Sequence, residues 1–202
     1  AWSLVTAGIA SAVGTFLNGI TALSAGDIWA VGYAGLGTNV EMHWNGTLWS
    51  VTTASFPSGG QESLRGVAAA GSHDVWAVGS YAPSTFAELQ TLALHWDGRT
   101  WSKVPTPNVD KYFNLFYGVA VLRSTDVWAV GYAYTPDGLG FSTLTAHWDG
   151  AQWTIVPSPT LSASELRGVV VSGPTTLWTA GSFIHFGLGG GLRTLTLHTA
   201  QG

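Results

Sequence analysis

From Thr91 to Trp96 the chain alternates: Leu92, Leu94 and Trp96 fall on one face of an extended segment, and Thr91, Ala93 and His95 on the other. The same split separates Leu144, Ala146 and Trp148 from Thr143, Thr145 and His147. Other segments, "GVAAAG" and "VWAVG", are apolar on both faces, as strands buried on two sides are. Helical spacing is convincing nowhere, so the chain reads as all-β. Around these segments, strands are predicted at Leu64–Ala70, Val75–Ser80, Thr91–Trp96 and Thr100–Val104, the last two joined by a tight hairpin at Asp97-Gly98.

The pattern recurs. "DVWAVG" stands at Asp74 and again at Asp126, "DIWAVG" at Asp27, and a worn copy, "TLWTAG", at Thr176. Their tryptophans, Trp29, Trp76, Trp128 and Trp178, are 47, 52 and 50 residues apart. A second phrase follows each time: "HWNGTLW" from His43, "HWDGRTW" from His95, "HWDGAQW" from His147, and a cut version, "HTAQG", from His198. Ala1-Trp2 continues that last copy in register, since His147 to Trp153 and His198 through Gly202 to Trp2 span the same number of residues. A period near fifty with four short strands per repeat marks a β-propeller blade. The expected fold is one domain, residues 1–202: a propeller of four four-stranded antiparallel blades at about 17–52, 64–105, 115–157 and 166–202 plus 1–6, the last closed by the N-terminal strand. Half of an eight-bladed ring built by two chains, or a cut from a longer array, fits the same register.

All eleven Trp take repeat positions, and each can bury about 150–250 Å². They read as packing between blades rather than as ligand-stacking residues. At these phrases the chain resembles the bacterial propellers that repeat "DVWAVG…HWDG…W…VPSP" and, more distantly, the Kelch and galactose-oxidase-like propellers. It departs from Kelch in carrying one Gly followed by Tyr or Ser (Gly32-Tyr33, Gly79-Ser80) where Kelch blades have a Gly pair. The resemblance implies a scaffold used for many unrelated tasks.

Composition narrows the tasks. Seven Lys plus Arg against eleven Asp plus Glu, scattered along the chain, give a net charge near −4 and argue against a nucleic-acid partner. No apolar run reaches the length of a membrane span. Cysteine is absent, which excludes disulfides and thiolate metal sites. The start at Ala1, without Met or leader, suits a processed chain or excised domain, and few Lys with many Trp, Thr and Gly suits a secreted or cell-surface location. His43, His95, His147 and His198 sit on the third strand of separate blades, on the order of 20 Å apart, too far to share an ion. They read as hydrogen-bonded structural residues, and no metal or cofactor is expected. Asp27, Asp74 and Asp126 read as turn carboxylates accepting backbone N–H groups, and Asn45 as a turn residue despite its Asn-Gly-Thr sequon. "GLGGG" at Gly187 lacks the Lys-Thr and helix of a phosphate loop. The loop carboxylates Glu62, Glu88, Asp110, Asp137 and Glu165 form no deducible catalytic pair, so no catalytic residue is assigned and the chain reads as a non-enzyme.

Function is expected where the repeats differ. The long dissimilar loops, such as "SYAPSTFAELQ" and "PTPNVDKYFNLF", emerge on one face. The residue before the inner-strand Gly is Asn18, Arg65, Tyr117 or Arg167, placing Arg65 and Arg167 across a central mouth, with Tyr33, Tyr81, Tyr132 and Phe183 as a platform. Local pairing of each Arg with a carboxylate such as Glu62 or Glu165 is the plainer reading. Tyr112, Phe113, Phe116, Tyr134, Phe141 and Phe186 are candidate interface residues. The chain therefore reads as an extracellular binding module for a glycan or other surface polymer. The alternative is an assembly subunit that uses the same aromatic loops against a partner protein or a further copy of itself.

Overall fold

The computed structural model describes residues 3–5, 14–35, 37–52, 54, 60–84, 87–109, 111–135, 137–159, 161, 163–187 and 190–199. Its strands form four antiparallel sheets, each laid down in chain order. The first holds β1 (Thr15–Ser24), β2 (Asp27–Ala34), β3 (Thr38–Trp44) and β4 (Trp49–Val51). The second holds β5 (Glu62–Gly71), β6 (Asp74–Tyr81), β7 (Gln90–Trp96) and β8 (Trp101–Val104). The third holds β9 (Asn114–Arg123), β10 (Asp126–Tyr134), β11 (Phe141–Trp148) and β12 (Trp153–Ile155). The fourth holds β13 (Ser164–Val171), β14 (Leu177–His185) and β15 (Gly191–His198). No helix among the described residues is long and apolar enough to cross a membrane.

The innermost strands pack in succession, β1 on β5, β5 on β9 and β9 on β13, and no comparable packing joins β13 or β14 back to β1 or β2 among the described residues. Ser3–Val5 are exposed and lie in no strand, and the fourth sheet has three strands among the described residues. Ser3–Val5 thus stand outside the outer strand expected from residues 1–6, of which residues 1, 2 and 6, like Asp110, lie outside the described set.

The two-sided apolar strands bury one face at each junction. Between the first two sheets, Trp29 and Val31 pack with Leu64, Val67, Leu92, Leu94 and Trp101. Between the second and third, Trp76, Val78 and Ala93 pack with Phe116, Val119, Leu144, Ala146 and Trp153. The indole of Trp29 lies 5.2 Å from Trp96 and 5.6 Å from Trp101, and that of Trp76 lies 5.1 Å from Trp148 and 5.4 Å from Trp153. Full burial of one such indole is worth at most about 4–6 kcal/mol. Trp178 departs from this packing role, being 45% exposed.

The aspartates of the repeat, expected as turn carboxylates, hold side chains of their own and the neighbouring strand. His43, His95 and His147 place Nε2 2.9, 2.8 and 2.9 Å from Oδ1 of Asp27, Asp74 and Asp126. Trp29 and Trp128 donate Nε1–H to Asp27 and Asp126, and each His ring lies against the Trp of its own sheet. Asp27 and Asp126 thus fix both His and Trp across adjacent strands, whereas Asp74 holds His95 alone and the buried Trp76 indole N–H has no partner. The hairpins after β3, β7 and β11 carry Gly46, Gly98 and Gly150 at φ 92, 94 and 97°. There the side chain of Asn45, Asp97 or Asp149 accepts the N–H groups two and three residues on. Those bonds hold the Asp97 and Asp149 carboxyls below the ordinary range.

The last Gly of "DVWAVG" has a steric cause. Each inner strand bulges opposite it, so a Cβ built on Gly32, Gly79, Gly131 or Gly181 would stand 1.8, 2.0, 1.9 or 1.9 Å from the carbonyl oxygen of Phe16, Ser63, Leu115 or Glu165. Gly131→Ala is expected to lower stability by roughly 2–4 kcal/mol, because backbone rather than a movable side chain must give way. A denaturant midpoint within experimental error of the native chain would refute this.

One buried carboxyl belongs to the first junction. Glu41 on β3 is fully buried, accepts the Ala54 N–H at 3.2 Å and is bonded by the Asn39 amide. Burial pushes its pKa from 4.5 up to about 7. Because the folded state holds this proton more tightly than the unfolded one, its stabilising effect is full below pH 4.5 and is lost as pH rises to about 7. Glu41→Gln should remove that decline, on the order of 3 kcal/mol across the window. Urea titrations of both proteins at several pH values test this, and parallel declines would overturn it.

Candidate ligand-binding site

The bulges also aim side chains. In the pairing of β1 with β2 the register skips Asn18; in the other three sheets it skips Arg65, Tyr117 and Arg167. A bulge leaves one residue out of the ladder and turns it away from its strand. In each sheet that residue is the one singled out in the sequence, so the four form a series along the innermost strands.

Three of them meet. The guanidinium carbons of Arg65 and Arg167 lie 5.1 and 4.6 Å from the centroid of the Tyr117 ring. Arg65 and Arg167 thus converge on the aromatic residue between them. Arg167 Nε donates to Glu165 Oε1 at 2.8 Å, and the Ser182 hydroxyl donates to the same oxygen at 3.1 Å. The local-pairing reading therefore holds for Arg167, whose pKa Glu165 raises. Nε of Arg65 is buried and makes no hydrogen bond. Behind Tyr117 the aromatic rings continue: Tyr132 lies 6.0 Å from Tyr117, 5.4 Å from Phe141 and 5.8 Å from Phe113, which stacks on Tyr134 at 5.1 Å. Burial, aided by the neighbouring Tyr117, pushes the Tyr132 phenol up to about 12, so it stays a neutral donor.

Asn18 is placed differently. Its Nδ2 donates to the Leu64 carbonyl at 2.7 Å and ties β1 to β5. With Tyr33, Gln61, Glu62, Ser63 and Arg65 it lines a cleft of about 410 Å³ between the first two sheets. Arg65 therefore borders both this cleft and the Tyr117 cluster. A second cleft, about 460 Å³, lies between the third and fourth sheets, where Phe141, Leu139, Leu161 and Phe186 give it apolar walls beside Asp137.

Three expected residues lie elsewhere. Tyr81 donates its hydroxyl to Gln90 at 2.7 Å and has Lys103 Nζ 3.1 Å from its ring centroid, which holds it on the flank of the second sheet. Phe183 packs against the buried cluster of Val130, Leu166 and Leu195. Both are two residues past the repeat Gly, whereas Tyr33 and Tyr132 are one past it, and the period of two sends them to the opposite face. Phe116 is fully buried against Trp153 and is a core residue, not an interface residue. Tyr112 and Phe186 are exposed. The sequence reading missed Gln61 and Ser63, which reach the cleft on the strand entering the second sheet and carry no repeat signal. Among the described residues no group of three or more His, Asp or Glu could hold a metal ion.

No family model and no curated protein matches the chain. Solved structures do. A lectin from Aleuria aurantia, a point mutant in complex with α-methyl-L-fucoside, aligns at a TM-score of 0.51 and 12% identity over 83% of this chain and 52% of its own. YCF48 bound to a D1 peptide aligns at 0.42 and 15% over 87% and 66%. A fucose lectin from Kordia zhangzhouensis in complex with methyl-fucoside aligns at 0.40 and 16% over 73% and 98%. This chain spans about half to two thirds of the length of the first two. At such identities the likeness to the Aleuria lectin is one of fold, and the Kelch-like affiliation remains without a match. By its repeated four-stranded sheets and this likeness, the chain is an all-β protein of propeller type.

Proposed function

We propose that this chain is a non-enzymatic, extracellular binding module whose ligand is a glycan bearing anionic groups, held at the bulge residues of the innermost strands. The observation that carries the reading is the convergence of Arg65 and Arg167 on Tyr117, with Nε of Arg65 buried and unbonded. Two like charges near one ring repel each other, and Glu165 offsets one of them. A carboxylate or sulfate entering from the cleft would relieve the repulsion and accept from the Arg65 fork. Next to it, Asn18, Gln61 and Ser63 offer the neutral hydrogen-bonding groups that sugar hydroxyls require, and Tyr33 offers an apolar face. A lectin of similar fold is known in complex with α-methyl-L-fucoside, which agrees with a sugar-binding use of this architecture.

The test is binding of the intact chain to immobilised acidic polysaccharide, a polyuronate and a sulfated glycan, with neutral dextran as control. Retention on the acidic polymers that weakens with salt is expected. Arg65→Ala with Arg167→Ala should weaken it at least about tenfold, each lost guanidinium contact being worth about 1.5–3 kcal/mol. Binding to dextran alone, or acidic binding that survives both substitutions, would overturn the assignment to these residues; no retention on any polysaccharide would overturn the glycan reading.

A further inference from the structure

The three junctions between sheets repeat one set of contacts, and that set is cut in half at each end of the series. Along the innermost strands, a Cβ on Gly19 would meet the Arg65 carbonyl oxygen at 2.9 Å, one on Gly66 that of Tyr117 at 2.8 Å, and one on Gly118 that of Arg167 at 3.2 Å. Each of these glycines is pressed against the next sheet. The fourth member, Gly168, would meet no atom within 4 Å. The second-strand Trp follows the same order: Trp29 and Trp76 are buried under the paired Trp of the next sheet, and Trp178 is exposed. Two residues on, Val31, Val78 and Val130 are buried where Ala180 is exposed.

The first sheet shows the complementary half. Leu64, Phe116 and Leu166 face the preceding sheet and are fully buried, whereas Leu17 at the same repeat position is 50% exposed. Val67 and Val119 are buried, and Ile20 is 69% exposed. Trp101 and Trp153 are buried; Trp49 is half-buried. So the fourth sheet presents a face that fits the front of a blade, and the first sheet presents the front of a blade with nothing before it.

We propose that the missing neighbour at both ends is a second copy of this chain: the fourth sheet of each copy packs on the first sheet of the other, giving a two-fold ring of two sets of four sheets. The glycine and inner-strand contacts required are already made three times within one copy, and the tryptophan contact twice. Gly168 would then face the carbonyl of the partner copy's residue 18, and Trp178 would lie under the partner copy's residues 44 and 49. The chain's own first sheet does not serve, because among the described residues β13 and β1 have no packing comparable to that at the three junctions while all four sheets are placed. A strand is exchanged as well. β15 has no outer partner among the described residues, and beside it a cavity of about 190 Å³, lined by Trp128, Val130, Val156, Leu177, Leu197 and Thr199, lies where Trp101 and Trp153 stand at the other junctions. "WSLV" at residues 2–5 matches the outer strands "WSV" of β4 and "WSKV" of β8. It precedes the first sheet in the chain, so in a ring Ser3–Val5 would run beside β15 of the partner's fourth sheet as its outer strand. Leu4 and Val5, exposed here, would be covered.

Light scattering of the 202-residue chain is expected to give twice its 21.1 kDa. Gly168→Val places its side chain in open space within one copy but against backbone in the ring, so it should halve the mass with circular dichroism unchanged, while the unfolding midpoint falls because the partner copy no longer stabilises the folded state. Ile20→Lys, a surface substitution in the isolated copy, should do the same. A mass of 21.1 kDa for the unaltered chain at every concentration overturns the proposal, as does a mass that climbs past two copies. So does a two-copy mass kept by both variants.

Discussion

A sheet that is apolar on both faces cannot be stable alone, and this constraint governs the molecule. The second strand, "VWAV" in the middle repeats, "IWAV" in the first and "LWTA" in the last, sends Trp to one side and a branched aliphatic residue to the other, so every blade needs a neighbour in front and behind. Trp29 and Trp76 meet that need by entering a pair of Trp on the following sheet. Because the need is the same in each blade, the sequence repeats. Where it is unmet, at Leu17, Ile20 and Trp178, apolar surface is open to water.

The bulge on each inner strand couples this scaffold to its candidate site. It brings a carbonyl within 2.0 Å of where a Cβ would stand, which only glycine tolerates, and it releases the residue that follows from the ladder. The sterically fixed position and the free position are thus adjacent. The fixed one is Gly in all four repeats; the free one is Asn18, Arg65, Tyr117 or Arg167. A scaffold built in this way can vary its innermost side chains without disturbing a junction.

Much of this was legible from spacing. The strands of the second repeat fall within two residues of their predicted limits, since alternation and turn chemistry are local signals. The four bulge residues were identified by register against the inner Gly. Tyr81 and Phe183 were misplaced because an aromatic beside a matching aromatic was read as equivalent, while a strand's period of two separates neighbours onto opposite faces. Convergence of both arginines on Tyr117 could not be read, because it depends on how far one sheet turns from the next. Closure escaped for the same reason: register across the termini is identical whether the next blade belongs to the same copy or to another.

The assembly and the site bear on each other through Asn18. Within one copy Asn18 reaches forward to the Leu64 carbonyl, so the inner strands are linked by side chain as well as by glycine contact at the first junction. At a junction between copies, Asn18 would stand beside the partner's Arg167, just as Arg65 stands beside Tyr117 within a copy. The inner series would then run Asn, Arg, Tyr, Arg twice around, and four guanidiniums would share one mouth. The chain has only seven Lys plus Arg and a net charge near −4, so such a concentration of cations is local and set against an acidic body. A single anionic sugar needs one such pair; two pairs related by a two-fold axis suit a ligand that repeats its charge, as a polymer does.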